Sequence, residues 1–155
     1  MSSKISVTII KTKSVDAVSD LNKTAVHLEQ VLTEKEGVEV KTRQSVTETV
    51  VKSSDYIIFV GWDTIGISNI FFALNALEKT ETEDDKKIFL FDEPGSNCWD
   101  ELNRLLTLGM DLNRIDSKLF KKIENCWNYR DIMSYIDVKL KKLETNANSG
   151  DSGTV

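Results

Sequence analysis

Five consecutive residues, Tyr56-Ile57-Ile58-Phe59-Val60, are all apolar or aromatic. Successive side chains of a strand point to opposite faces, so this strand has no face to give to water. An interior strand of a parallel sheet, covered by helices above and below, meets that requirement. Most other folds of a chain this size would leave one of its faces wet.

The flanking sequence supplies the rest of such a sheet. Ile5–Lys11 (ISVTIIK) reads as a second buried strand. Apolar residues then recur at Val18, Leu21, Ala25, Leu28 and Leu32, the spacing of an amphipathic helix over Val15–Glu36. Gly37 stands where a left-handed C-cap belongs, and Val38–Arg43 (VEVKTR) is a short strand. Ser45 and Glu48 have capping-box spacing and open a short helix through Val46, Val50 and Val51.

Beyond the central strand, Ile70, Phe71, Leu74 and Leu77 mark another helix. A charged connection (EKTETEDDKK) leads into the strand Ile88–Asp92, and a further helix from about Trp99 carries Leu102, Leu105 and Leu106. A fifth strand is expected to end the piece Leu119–Cys126. A last helix, capped by Asn128 with Asp131 following, carries Ile132, Met133, Ile136, Leu140 and Leu143. Strands alternating with helices predict an α/β fold: a Rossmann-like three-layer sandwich whose central parallel sheet has about four to five strands, with helices on both faces. Residues 1–144 form one domain in this reading, and 145–155 (TNANSGDSGTV) form a disordered tail.

Composition narrows the function. A formal net charge of −5 over 155 residues argues against general nucleic-acid binding, which needs a basic face. No apolar run approaches membrane-spanning length. Cys98 and Cys126 form no C-x-x-C pair, so reduced thiols in the cytoplasm are expected. The single proline and the abundance of Lys, Asn and Ile suit an AT-rich genome, such as a phage's or a low-GC bacterium's. For a phage protein the setting would be the host cytoplasm.

Ligands of doubly wound sheets gather at the carboxyl ends of the strands, so two loops matter most. The loop after the central strand (GWDTIGIS) offers Gly61, Trp62, Asp63, Thr64, Gly66, Ser68 and Asn69. Its helix start can hold a phosphate with backbone N–H groups, and Trp62 can stack on a base or ribose. A second reading stays open: both glycines serve only the turn, and Trp62 packs on a neighbour. The loop after the first strand (KTKS) has no glycine, but Lys11, Thr12, Lys13 and Ser14 can bind an anion. It too can be a plain solvated loop, and the crevice can instead be filled by side chains such as Trp62 and Phe72.

Catalytic groups are sparse. His27 is the only histidine and lies off its helix's apolar stripe, so exposure is expected. Asp92 and Glu93, at the end of the fourth strand, are the best-placed carboxylates. No metal motif or cofactor fingerprint is present, so neither a metal nor a cofactor is expected.

The order SSDYIIFVGWDTIGISNIFFAL, then GSNCWDEL (Gly95–Leu102), GMDL (Gly109–Leu112) and NYRDIMSYI (Asn128–Ile136) resembles the Lonely Guy phosphoribohydrolases and their wider Rossmann-like group. The resemblance spans about the last two-thirds of the domain, as pattern rather than identity. It implies a nucleotide-handling protein that dimerises through helices, and the apolar helix Ile70–Leu77 is the candidate for a homodimer. Ile65-Gly66 stands on the x-G of the family's P-G-G-x-G-T-x-x-E. Trp62, Asp63 and Thr64 then replace P-G-G, Ile67 replaces the threonine, and Ile70 replaces the catalytic glutamate. The family's arginine falls near Val46, with Arg43 about a turn away. The resemblance therefore implies a degenerate catalytic apparatus and a protein that binds a nucleotide-derived ligand, a protein partner or both. The competing expectation is an enzyme with a rearranged site that uses Asp63 or Asp92 for N-glycosidic hydrolysis or deoxyribosyl transfer.

Overall fold

The computed structural model describes residues 5–11, 20–60, 70, 72–76, 87–91, 98–112, 123–126 and 129–153. Their elements alternate in chain order. Strand β1 (Ile5–Lys11) is followed by helix α1 (Asp20–Glu34), β2 (Val38–Arg43), α2 (Glu48–Ser53) and β3 (Tyr56–Val60). Helical residues 70 and 72–76 (α3) come next, then β4 (Lys87–Phe91), α4 (Cys98–Asp111), β5 (Ile123–Cys126) and α5 (Tyr129–Gly153).

The strands form one five-stranded sheet in the order β2-β1-β3-β4-β5, and every neighbouring pair is parallel. β3 is buried at all five positions, as its unbroken apolar run requires. Its alternate residues feed two separate cores. Ile57 and Phe59 pack with Ile10, Ile88 and Leu90 under α2, α3 and α4, which contribute Val51, Ile70, Leu74, Leu102 and Leu106. Tyr56, Ile58 and Val60 pack with Ile5, Val7, Ile9, Phe89 and Phe91 under α1 and α5, through Ala25, Leu28, Leu32, Ile132 and Ile136. This is the expected three-layer α/β sandwich, with helices on both faces.

Local chemistry sets the junctions. Gly37 has φ +85°, a left-handed conformation that favours glycine, and its carbonyl accepts the Ile5 N–H at 2.8 Å. The end of α1 is thereby tied to the start of β1. The cap of α2 differs from the expected one: Thr47, not Ser45, is extended and accepts the Val50 N–H at 3.2 Å. Ser45 stays exposed outside the helix.

At its amino end the sheet is fastened by side chains. Ser6 and Asp55 bond reciprocally: the Ser6 N–H donates to Asp55 Oδ2 at 2.8 Å, and the Asp55 N–H donates to the Ser6 carbonyl at 2.8 Å. Lys139 of α5 donates to Asp55 Oδ1 at 3.2 Å and lies 5.5 Å from the Tyr56 ring centroid. Thr8 and Ser54, both buried, share a 2.7 Å hydroxyl hydrogen bond. Lys35, just past the end of α1, pairs with Asp137 of α5. The α5 helix continues to Gly153.

Candidate functional site at the carboxyl ends of β1 and β3

The strand order reverses direction at β1, with β2 on one side and β3 on the other. The helix after β1 covers one face of the sheet and the helix after β3 covers the opposite face. α1 and α3 therefore flank the adjacent ends of β1 and β3 from opposite faces of the sheet. In doubly wound sheets this switch point is the ligand position. Lys11 and Val60, the last residues of β1 and β3, are register partners, and Val60 is in turn paired with Phe91. The attachment points of the two loops singled out in the sequence thus lie side by side, next to Phe91, the residue that precedes Asp92.

Of the candidate residues, Lys11 is described and sits at this switch point, at the end of β1. Its ammonium donates to Asn22 Oδ1 of α1 at 2.8 Å in a part-buried contact. A lysine ammonium has three donors, so one bond to Asn22 steers the head group while leaving it the chemistry of an anion contact. Thr12, Lys13, Ser14, Gly61, Trp62, Asp63, Thr64, Gly66, Ser68, Asn69, Asp92 and Glu93 lie outside the described residues, as does Ile67. Phe72, a candidate for filling the crevice, is 47% exposed. His27 is exposed as expected and meets Tyr129 edge-on, with ring centroids 5.1 Å apart. Arg43 is exposed at the end of β2 and donates to the neighbouring Thr42 carbonyl at 3.0 Å.

Val46 and Ile70, near which the resemblance would place an arginine and a glutamate, both lie in the apolar interior. Val46 is 7% exposed and Ile70 is fully buried, both in the cluster beneath α2, α3 and α4. A carboxylate at position 70 would be desolvated among Ile57, Leu74 and Leu90, a setting that strongly disfavours a charge. The described residues of the helix expected to form a homodimer divide between the core and the surface, where Phe72 is exposed. Ile70, Ala73, Leu74 and Ala76 are all turned into the core.

One polar group near these strand ends is missing from the sequence reading. The Thr42 Oγ1 atom is buried with no hydrogen-bond partner among the described residues. Its signal was available, since Val38 and Val40 are the inward residues of β2 and the third inward position, 42, is polar. Thr42 pairs in register with Ile9, two residues before Lys11. Among the described residues there is no group of three His, Cys, Asp or Glu able to hold a metal ion. None of the described helices is long and apolar enough to cross a membrane.

No family model matches the chain, and no curated protein matches it. A solved structure does: a cobalamin-binding protein from Desulfitobacterium hafniense DCB-2 superposes with a TM-score of 0.53 at 12% identity. The match covers 88% of this chain and 58% of that one, so the chain spans less than two thirds of that protein's length. At that identity the likeness is one of fold. With the 2-1-3-4-5 order, it establishes an α/β protein of the doubly wound, Rossmann-like kind.

Proposed function

We propose that the chain is a catalytically degenerate relative of the Lonely Guy-like group that binds a nucleotide-derived ligand, a protein partner or both at the β1–β3 crevice. The observation that carries this reading is the burial of Val46 and Ile70 in one apolar cluster. The two positions that should furnish an arginine and an acid furnish core packing instead. General acid catalysis and charge stabilisation contribute orders of magnitude in rate, so their joint loss favours binding over hydrolysis. The switch point and the Lys11 ammonium held by Asn22 support an anionic group as the ligand's anchor.

Two measurements on the full chain test the proposal. A thermal-shift screen against nucleoside monophosphates should show stabilisation, since a ligand that binds the folded state raises its apparent stability. Lys11→Met should weaken the response by about tenfold in affinity, the size of one charge-assisted contact. Incubation with the same panel should release no free base. Base release abolished by Asp63→Asn or Asp92→Asn would replace this reading with that of an enzyme with a rearranged site. No stabilisation by any nucleotide, with a specific protein recovered by pull-down, would leave an interaction module without a nucleotide ligand.

A further inference from the structure

Helix α4 carries two apolar stripes where its place in the sandwich needs one. Leu102 and Leu106 are buried against the sheet. Leu105, Leu108 and Leu112, spaced by three and four residues, run beside them. Leu105 is half-buried, while Leu108 and Leu112 are 54% and 56% exposed. The Leu112 N–H donates to the Leu108 carbonyl at 3.0 Å, so the helical turn carries Leu112 on in line with Leu108. Exposed Arg104 and Asp111 lie seven residues apart. At 100° per residue they share one flank of the stripe, about 10 Å apart along the axis.

From this pattern we propose that α4 is a self-association surface, on which a second copy of the chain packs its own α4 antiparallel about a two-fold axis near Leu108. The charges choose the occupant and its direction. An antiparallel pair sets Arg104 of each copy opposite Asp111 of the other, twice by symmetry, and closes the leucine stripe over itself. A parallel pair in register would set arginine against arginine and aspartate against aspartate. An isologous contact of this kind closes as a dimer and does not propagate. A seam formed by one helix is at the small end of specific interfaces, so the dimer depends on concentration. The surface lies apart from the β1–β3 crevice and does not rest on the ligand reading.

Sedimentation velocity of the full chain over a dilution series into the high micromolar range tests it. The wild-type chain should pass from monomer to dimer. Arg104→Asp and Asp111→Arg should each raise the dissociation constant by about tenfold, with both symmetric pairs turned repulsive. The double variant R104D/D111R should return to the wild-type constant, and Leu108→Glu should give monomer. All three changes are at exposed positions, and circular dichroism checks that each of the four variants is folded. A chain that stays monomeric throughout overturns the proposal. So does a dimer whose constant is unmoved by either reversal, or a double variant as weak as the single ones.

Discussion

The Lys139 ammonium of α5 reaches Asp55 Oδ1, at the entry to β3, across 84 positions of sequence and at 3.2 Å. Lys139 is 8% exposed, and the second oxygen of Asp55 is taken by the Ser6 N–H. One carboxylate thus joins β1, β3 and α5.

The two partners should respond unequally to removal. Asp55→Ala leaves a nearly buried ammonium leaning on the Tyr56 ring and an unmet Ser6 N–H, so a loss of about 2–3 kcal/mol is expected. Lys139→Met leaves an aspartate that is part exposed and still holds Ser6, for a loss of about 1 kcal/mol. Urea unfolding of the two variants measures the difference. Equal losses would mean that the carboxylate's bond to Ser6 contributes nothing.

Thr8 and Ser54 provide a second test of paired burial. Each single change, Thr8→Val or Ser54→Ala, strands one buried hydroxyl and should cost about 1–3 kcal/mol. The double variant removes both polar groups and should cost less than the sum of the single changes. A double-mutant cycle reads the coupling directly, and strict additivity would refute it.

Gly37→Ala should destabilise by about 1–2 kcal/mol, the cost of placing a Cβ in the left-handed region. The added Cβ would also stand 3.0 Å from Leu140 Cδ2, a contact that a small rotation of the leucine can relax. The backbone conformation therefore sets the expected loss. Val→Ala changes at exposed positions would show no comparable drop in denaturation midpoint.

Ile70→Glu would introduce the residue type that the proposed Lonely Guy relationship puts at this position, yet it should not confer catalysis. Position 70 is fully buried in the apolar cluster, so the substitution should cost 3 kcal/mol or more, on the order of other unpaired buried charges. The checks are chemical denaturation and an assay for free base. A stable, active Ile70→Glu protein would show that the side chain can turn to the crevice.

Much of this architecture was readable in the sequence, for physical reasons. The runs Ile5–Lys11, Val38–Arg43 and Tyr56–Val60 form strands over the expected spans, because apolar pattern and burial coincide there. The α2 cap moved from Ser45 to Thr47 because several hydroxyls near a helix start offer the same acceptor, and spacing alone does not choose among them. Lys139 falls in the stripe Ile132–Ile136–Lys139–Leu143, where counting apolar residues passes over a lysine whose partner is distant in sequence. Strand order was not readable either, since it depends on which face each crossover helix takes. At the candidate site the sequence located the strand ends, and Lys11 closes β1 beside Val60. Thr42 went unnoticed because it is the polar member of an otherwise apolar inward set.

The interior position of β1 bears on how the chain reaches its native state during synthesis. Ile5, Val7, Ile9 and Ile10 leave the ribosome before either neighbouring strand exists. α1 and β2 follow within the next stretch and can shelter one face and one edge of β1. The other edge waits for Tyr56–Val60, paired to it in parallel. Because parallel partners need long crossovers, that closure is late and slow compared with a hairpin's. Until it happens, the nascent segment is an unfinished sheet with an open apolar edge, the kind of intermediate that chaperones shield.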